Sequence, residues 1–280
     1  MILAIASGKG GTGKTTVAVN LAQTIEQDVF LLDCDVEEPN SHIFIQGNKI
    51  KEKDFSVPIP KVDEDLCQEC GECAKICQFN AIVSFKTIPL IFPELCHSCG
   101  GCIKVCPTNA LSEVEHTIGK ISIYKNKHIT LVEGKLNIGH PMAPPLIKAV
   151  KKHIPEDKIT ILDAPPGTSC PVIATLKKAD VVLLVTEPTP FGLNDLKLAV
   201  ETVRELKIPF GVVVNRAEPG QDIIENYCQE EGIPILLQIP DSRKIAELYS
   251  QGKTIVNHLP EFKKEFKTLL EQAMLLARRQ

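Results

Sequence analysis

The stretch Ile2-Leu-Ala-Ile-Ala-Ser-Gly8-Lys9-Gly10-Gly11-Thr12-Gly13-Lys14-Thr15-Thr16 decides the fold. Its apolar opening, residues 2–6, reads as a short strand buried on both faces. Residues 8–15 fill the pattern G-x-x-x-x-G-K-[ST] in full. The residues that follow, to about Glu26, put Val17, Leu21, Ala22 and Ile25 on one helical face. Strand, glycine loop and helix in that order make a phosphate-binding loop. Its glycines turn backbone N–H groups inward, and the helix N-terminus adds partial positive charge. The loop Gly8–Thr15, with Thr16 beside it, is therefore the expected nucleotide cradle. Lys14 is expected on the β- and γ-phosphates and Thr15 on Mg²⁺.

Working outward, residues 29–32 form a second short apolar run, and it ends on Asp33-Cys34-Asp35. After residue 116 the alternation resumes. Strands are expected at 159–162, 181–185, 210–214 and 235–237. Helices are expected near 145–152, 171–178, 192–206, 221–231 and 242–250. Short apolar strands alternating with helices mean an α/β fold with a parallel sheet covered on both faces. Carboxylates at the C-terminal edge of such a sheet face the ligand crevice. Asp163 reads as the acid that holds Mg²⁺ through water, and Asp35 as the group that orients the attacking water. The competing reading of either is a strand-end carboxylate capping a neighbouring helix.

Residues 55–115 have a different character, being dense in Cys, Pro and Gly and without a long periodic segment. Cys67, Cys70, Cys73 and Cys77 space as C-x2-C-x2-C-x3-C, and Cys96, Cys99, Cys102 and Cys106 repeat it, followed by Pro107. Ala81-Ile82 and Ala110-Leu111 follow the two runs at equal distance, so the segment reads as an internal duplication. Zinc prefers paired C-x2-C units separated by a longer spacer and fits this pattern badly. The doubled spacing is that of bacterial two-cluster ferredoxins. That resemblance implies two [4Fe-4S] clusters with crossed ligands: Cys67, Cys70, Cys73 with Cys106, and Cys96, Cys99, Cys102 with Cys77. One departure is Gln78, where the pattern has proline after the fourth cysteine.

The loop itself carries a further resemblance. Lys9-Gly-Gly-Thr-Gly-Lys14-Thr15 is similar to the deviant Walker A motif of the MinD/ParA superfamily of ATPases, which includes the nitrogenase iron protein and Mrp-type cluster carriers. In that family the lysine at the position of Lys9 crosses a dimer interface to the partner's nucleotide. Asp163-Ala-Pro-Pro-Gly167-Thr168 resembles its switch II. Val214-Asn215-Arg216 resembles the strand end whose asparagine reads the adenine edge. Taken with the cysteines, the chain resembles MinD-superfamily ATPases with an inserted ferredoxin domain. The resemblance implies an ATPase domain from 1–54 and 116–280 interrupted by an insert at 55–115. It also implies ATP/ADP and Mg²⁺ as ligands and a dimer, either of identical chains or with a paralogue. Cys170, seven residues after Asp163, matches a cysteine that bridges a cluster between subunits of the nitrogenase iron protein, which adds a third, intersubunit metal site as an expectation.

Composition excludes several alternatives. The chain has 280 residues, a formal charge of −4, no Trp and three Tyr, so neither a basic footprint nor stacking residues mark a nucleic-acid surface. No apolar run approaches the ~18 residues of a membrane span, and the N-terminus lacks a signal peptide's basic region. A cytoplasmic location is expected, where eleven cysteines read as metal ligands rather than disulfides. Cys34 and Cys228 read as packing residues. Residues 261–280 read as an amphipathic helix that closes the domain, the other reading being a membrane-binding helix. His42, His97, His116, His128, His153 and His258 show no ligand spacing.

Three tasks fit these parts. One is ATP-gated electron transfer through the two clusters to a redox partner. Another is ATP-dependent carriage or maturation of a cluster for a client metalloprotein. The third is positioning in the manner of MinD, which needs no redox centre. The first is the leading expectation; the absence of a C-terminal C-x-x-C weighs against the second in its Mrp form.

Overall fold

The structure is a computed structural model describing residues 1–278. In chain order the elements begin with β1 (Ile2–Ala6), α1 (Lys14–Thr24), β2 (Val29–Asp33), α2 (Ser41–Phe44) and β3 (Asn48–Val62). They continue with α3 (Glu72–Ile76), β4 (Ile82–Val83), β5 (Leu90–Ile91), α4 (Gly101–Lys104), β6 (Leu111–Asn126) and β7 (Ile129–Leu136). Then come α5 (Ala143–Lys151), β8 (Ile159–Asp163), α6 (Cys170–Leu176), β9 (Val181–Thr186), α7 (Pro190–Glu205) and β10 (Phe210–Ala217). The chain closes with α8 (Ile223–Glu230), β11 (Ile235–Pro240), α9 (Arg243–Ser250), α10 (Ile255–His258) and α11 (Pro260–Ala277). Two compact units result: Met1–Glu52, Ile121–Lys135 and Ile147–Gln280 form the first, Lys53–Lys120 and Leu136–Leu146 the second.

The first unit is the expected α/β layer structure. Its strands follow the order β11-β10-β9-β1-β8-β2-β7-β6-β3. From β11 to β7 every pairing is parallel. β1 runs between β8 and β9, and residues 3–6 are buried. A strand covered on both faces cannot alternate polar with apolar, which is why 2–6 and 181–185 read as unbroken apolar runs. On one face α1 buries Val17, Leu21 and Ala22 in a cluster with Leu3, Ile5, Leu31 and Leu183. Each large aliphatic side chain so buried contributes about 1.5–3 kcal/mol.

α11 packs into that same cluster. Phe262, Phe266, Leu269 and Ala273, spaced to share one helical face, are buried in the core of the first unit. The apolar face of the C-terminal helix is thus used in closing the domain; Arg279 and Gln280 lie outside the described residues. Among the described residues no helix is long and apolar enough to cross a membrane.

Four features differ from what the sequence leads one to expect. The cysteine-rich segment is flanked by long strands, β3 and β6, that reach into it at Val62 and Leu111, and β7 is an additional strand that no pattern marked. β3 begins Asn-Lys-Ile-Lys-Glu-Lys-Asp with those residues exposed, so it has no buried face to impose a period-2 pattern there. Residues 136–146 also group with the second unit, apart from the 55–115 block. The helix expected from 145 starts at Ala143, because Pro144 and Pro145 fall in its first turn, where their missing N–H groups cost no hydrogen bond.

The second unit has a small core of Cys73, Ile82, Cys102 and Leu111. Its backbone records the duplication. Glu69 and Ser98, Gly71 and Gly100, Asn80 and Asn109 all adopt left-handed φ values between 53° and 73°. The members of each pair stand 29 positions apart, as Cys67 and Cys96 do. Gly71 and Gly100 cap the starts of α3 and α4 in this conformation.

Candidate functional site: a nucleotide cleft and two cysteine-lined cavities

The strand ends of the first unit converge on a cleft of about 490 Å³ walled by Gly10, Gly13, Lys14, Thr15, Asp35 and Asn215, among others. The turn from β1 into α1 depends on two glycines. A Cβ on Gly8 would collide with the backbone carbonyl of Asp195 in α7. One on Gly13, at φ 98°, would collide with the Asn215 amide. Ser7 Oγ donates to Lys9 O at 2.6 Å and fixes the loop's entry. Gly10, Gly11 and Thr16 also face the cleft, and Thr12 Oγ1 is buried without a partner.

Lys14 is buried at the foot of the loop. Burial pushes its ammonium below the ordinary lysine range, while Asp163, Asp35 and Asp33 pull it back up. Asp163 ends β8 in register with Asp33 of β2. Burial raises Asp163 to about 7, against the pull of Thr15 and Lys14 and with the help of Asp35. Both Asp163 carboxylate oxygens are buried with no partner in full hydrogen-bond geometry, although the hydroxyls of Thr15 and Ser41 lie near enough to favour the charged form. Burying a carboxylate this way is costly, and a positive charge beside it would offset the cost. Asp35 lines the cleft and is raised by burial, with Lys14 opposing. Asp33 is fully engaged instead: it accepts from the N–H groups of Asp35, Asn40 and Ser41 at 3.0–3.1 Å.

Asn215 lies near the end of β10, where Nδ2 donates to Thr12 O at 2.8 Å, so the amide braces the phosphate loop from the side. Arg216 lines the cleft in a left-handed conformation, and its guanidinium is tied to Glu187 at 2.7 Å. Glu187 also takes Lys9 Nζ at 3.4 Å. Sequence reading missed Glu187; its position one residue beyond β9, at the same sheet edge as Asp163, is the signal that could have found it.

The cysteines of the second unit sort into two groups. Cys67, Cys70, Cys73 and Cys106 line one small cavity. Cys77, Cys96, Cys99 and Cys102 line another. Among the described residues no three of these or other acidic or imidazole groups close on a point suited to a single ion. Burial raises the thiols of Cys73 and Cys96, and that of Cys102 to about 11. Burial acts the same way on Cys106, but the N–H and hydroxyl of Thr108 and the N–H groups of Ala110 and Leu111 outweigh it, and this thiol falls below its usual value. Ala110 N lies 3.2 Å from Cys106 Sγ, and Ser98 N lies 3.4 Å from Cys96 Sγ. His97, which no spacing marked, stacks on Phe79 at 3.5 Å and 9°, and both rings line the second cavity.

The other cysteines divide by burial. Cys34 and Cys228 are buried, and Cys170 is exposed at the first position of α6.

A parallel sheet with a deviant phosphate loop and a strand-end acid defines a nucleotide-binding α/β domain, and residues 3–255 match the CobQ/CobB/MinD/ParA nucleotide binding domain. The chain belongs to that family. An uncharacterised protein of Methanocaldococcus jannaschii, MJ0578, is 36% identical over 223 residues, covering 77% of this chain and 78% of that one. An iron-sulfur cluster carrier protein of Aquifex aeolicus is 25% identical over 285 residues, covering 93% of this chain and 63% of the carrier. Among solved structures, the septum site-determining protein MinD of Pyrococcus horikoshii, complexed with Mg-ADP, superposes with a TM-score of 0.57 at 19% identity, over 97% of this chain and 94% of that one.

Proposed function

We propose that this chain is an ATP-dependent carrier or maturation factor for iron–sulfur or related metal clusters. Its own two [4Fe-4S] clusters would be held by Cys67, Cys70, Cys73 and Cys106 and by Cys77, Cys96, Cys99 and Cys102. The observation that carries the reading is the pairing of this nucleotide cleft with two four-cysteine cavities in one chain. The carrier reading displaces ATP-gated electron transfer as the leading one because the named relatives at this similarity are cluster carriers.

The residues fit the groups. Four sulfurs round a cavity suit a cube better than a lone zinc ion, which needs its ligands drawn to one point. Buried thiols with raised pKa values lose their protons when a cationic cluster replaces them as the charge partner. N–H groups aimed at Cys96 and Cys106 favour the thiolate form and tune what it binds. Such clusters supply electron storage and metal–sulfur bonding.

In the cleft, Lys14 and the loop N–H groups hold the phosphates, Thr15 and Asp163 hold Mg²⁺, and Asp35 orients water for hydrolysis. Lys9 acts on a second copy's nucleotide, which makes the dimer the working unit. Cys170 is exposed and stands outside the two four-cysteine groups, so it is the thiol assigned to a group shared between copies.

The test is anaerobic reconstitution with iron and sulfide, then transfer to an apo-acceptor protein with and without ATP. About eight iron atoms per chain are expected before transfer, with more if Cys170 holds a bridging cluster. ATP-dependent reactivation of the acceptor supports the carrier reading. Transfer that ignores ATP and the Lys14→Ala change sinks it, and nucleotide-dependent reduction of a redox partner would restore the electron-transfer reading.

A further inference from the structure

Three neighbouring strands of the first unit carry carboxylates at one level. Asp33 on β2 is in register with Asp163 on β8 and with Glu133 on β7. Asp163 is buried behind the cleft and interacts with Thr15 and Lys14 of its wall, and Asp33 ties the loop that follows β2. Glu133 is buried, belongs to neither the phosphate loop nor the cation site, and has a job of its own. Its Oε1 accepts from His42 N at 3.0 Å and lies 2.8 Å from His42 Nδ1.

His42 sits in α2, a helix of four residues. So short a helix has no stability of its own, and its first N–H groups need outside partners. Asn40, at the cap position, makes no side-chain cap bond. The partners come from the strands instead: Asp33 takes the N–H groups of Asn40 and Ser41, and Glu133 takes that of His42 together with its ring. The segment between β2 and α2 carries Asp35, Glu38 and Asn40, all on the wall of the cleft. A nucleotide that re-engages Asp35 therefore pulls on a segment whose far end is pinned to β7. β7 runs on from Glu133 to Leu136, and there the chain passes into the second unit, which takes Leu136–Leu146.

We propose that Glu133 is a positioning residue for the nucleotide loop, and that through the His42–Glu133 contact the state of that loop reaches β7 and the segment Leu136–Leu146 of the second unit. Glu133 touches no nucleotide; it acts through His42. The inference rests on nucleotide binding in the cleft and is independent of whether clusters are carried.

The experiment is amide hydrogen exchange on the full-length protein with Mg-ADP and with a non-hydrolysable ATP analogue and Mg²⁺. Wild type, Glu133→Ala, Glu133→Gln and His42→Ala are compared. In the wild type, exchange of peptides covering 136–146 should differ at least about fivefold between the two states. Glu133→Ala and His42→Ala should cut that difference below about twofold, with nucleotide affinity kept within about threefold. Glu133→Gln should rescue most of it, because its amide oxygen still accepts from His42 N. A merely structural tie would lower thermal stability and leave the nucleotide-dependent difference standing. Equal exchange in both states of the nucleotide-bound wild type overturns the inference alone, as does a full difference retained in Glu133→Ala. Should Glu133→Ala fail to fold, His42→Ala, at a half-exposed side chain, decides by the same criterion. Failure of the wild type to bind nucleotide overturns the cleft reading and this inference together.

Discussion

Lys9 Nζ lies 3.4 Å from Glu187 Oε2 of its own chain, and the same carboxylate holds Arg216 Nη1 at 2.7 Å. The family resemblance implies that this lysine serves a second copy's nucleotide. Here its backbone is fixed by Ser7 while its side chain rests on an internal acid. If Lys9 leaves, Glu187 keeps Arg216, so no buried carboxylate is stranded. The pair is partly exposed, which limits its strength to about 0–1 kcal/mol and makes exchange to a partner's phosphates easy. Lys9→Ala should therefore leave ATP binding within a few-fold of wild type and lower turnover by about 10²-fold or more. Nucleotide titration alongside steady-state hydrolysis checks both. Unchanged turnover removes Lys9 from the mechanism.

Lys14 is a different case, since it is buried among Asp163, Asp35 and Asp33. Its removal would take away the phosphate contact proposed for it and leave Asp163, Asp35 and Asp33 without its ammonium. Lys14→Ala should abolish detectable nucleotide binding while the brown absorbance of the reconstituted second unit survives. Calorimetry and iron content, measured on one preparation, test this; loss of both together contradicts separate chemistries in the two units.

Asp163 makes the nucleotide-free chain sensitive to pH together with Asp33 beside it, whose carboxyl is also raised by burial and by Asp163. The native pKa of Asp163 is raised to about 7, above the unfolded value, because burial penalises the charge. A carboxyl group raised in this way stabilises the fold fully below the unfolded pKa near 4, and that contribution is lost as pH rises through about 7. Without nucleotide or Mg²⁺, the melting temperature should fall as pH rises from about 4 to about 7. Asp163→Asn should flatten this dependence and raise the melting temperature at the alkaline end, while abolishing the Mg²⁺ requirement of nucleotide binding. Mg²⁺-dependent affinity in the wild type should rise over the same range, because the cation needs the ionised form. Parallel melting curves for the two proteins across that range would contradict the assignment.

How much of this was legible depended on whether one residue type at one spacing settled the matter. The phosphate loop, Asp163 and the parallel strands were readable because buried strands, loop glycines and strand-end acids each leave a local mark. Glu133 left none, and Glu187 only its place directly after β9. Each is a lone carboxylate whose partner is remote in the chain, Arg216 being 29 positions from Glu187 and His42 being 91 positions from Glu133. The opening of β3 was hidden because residues 48–54 are exposed throughout and carry no alternation, whereas β6 does alternate from Glu113 to Ile118, a mark that the sequence reading passed over. The Phe79–His97 stack was likewise invisible, since it joins the two cysteine runs only after they fold together.

The grouping of the cysteines gives the sharpest test of the second unit. Cys106 closes the second run in sequence but shares a cavity with Cys67, Cys70 and Cys73. Cys77 closes the first run but shares a cavity with Cys96, Cys99 and Cys102. Electrostatic coupling runs the same way: Cys73 feels Cys70 and Cys106, and Cys96 feels Cys99 and Cys77. Cys106→Ser should therefore damage the cluster of the first run and spare that of its own. A serine hydroxyl is a poor substitute for thiolate toward iron, so partial loss, to about half of the ~8 iron atoms, is expected. Paired single changes make the result readable. Cys106→Ser and Cys67→Ser should give the same altered EPR spectrum after reduction, and Cys77→Ser and Cys96→Ser should share a different one. If Cys106→Ser instead matches Cys96→Ser, each run holds its own cluster, and the crossed arrangement fails.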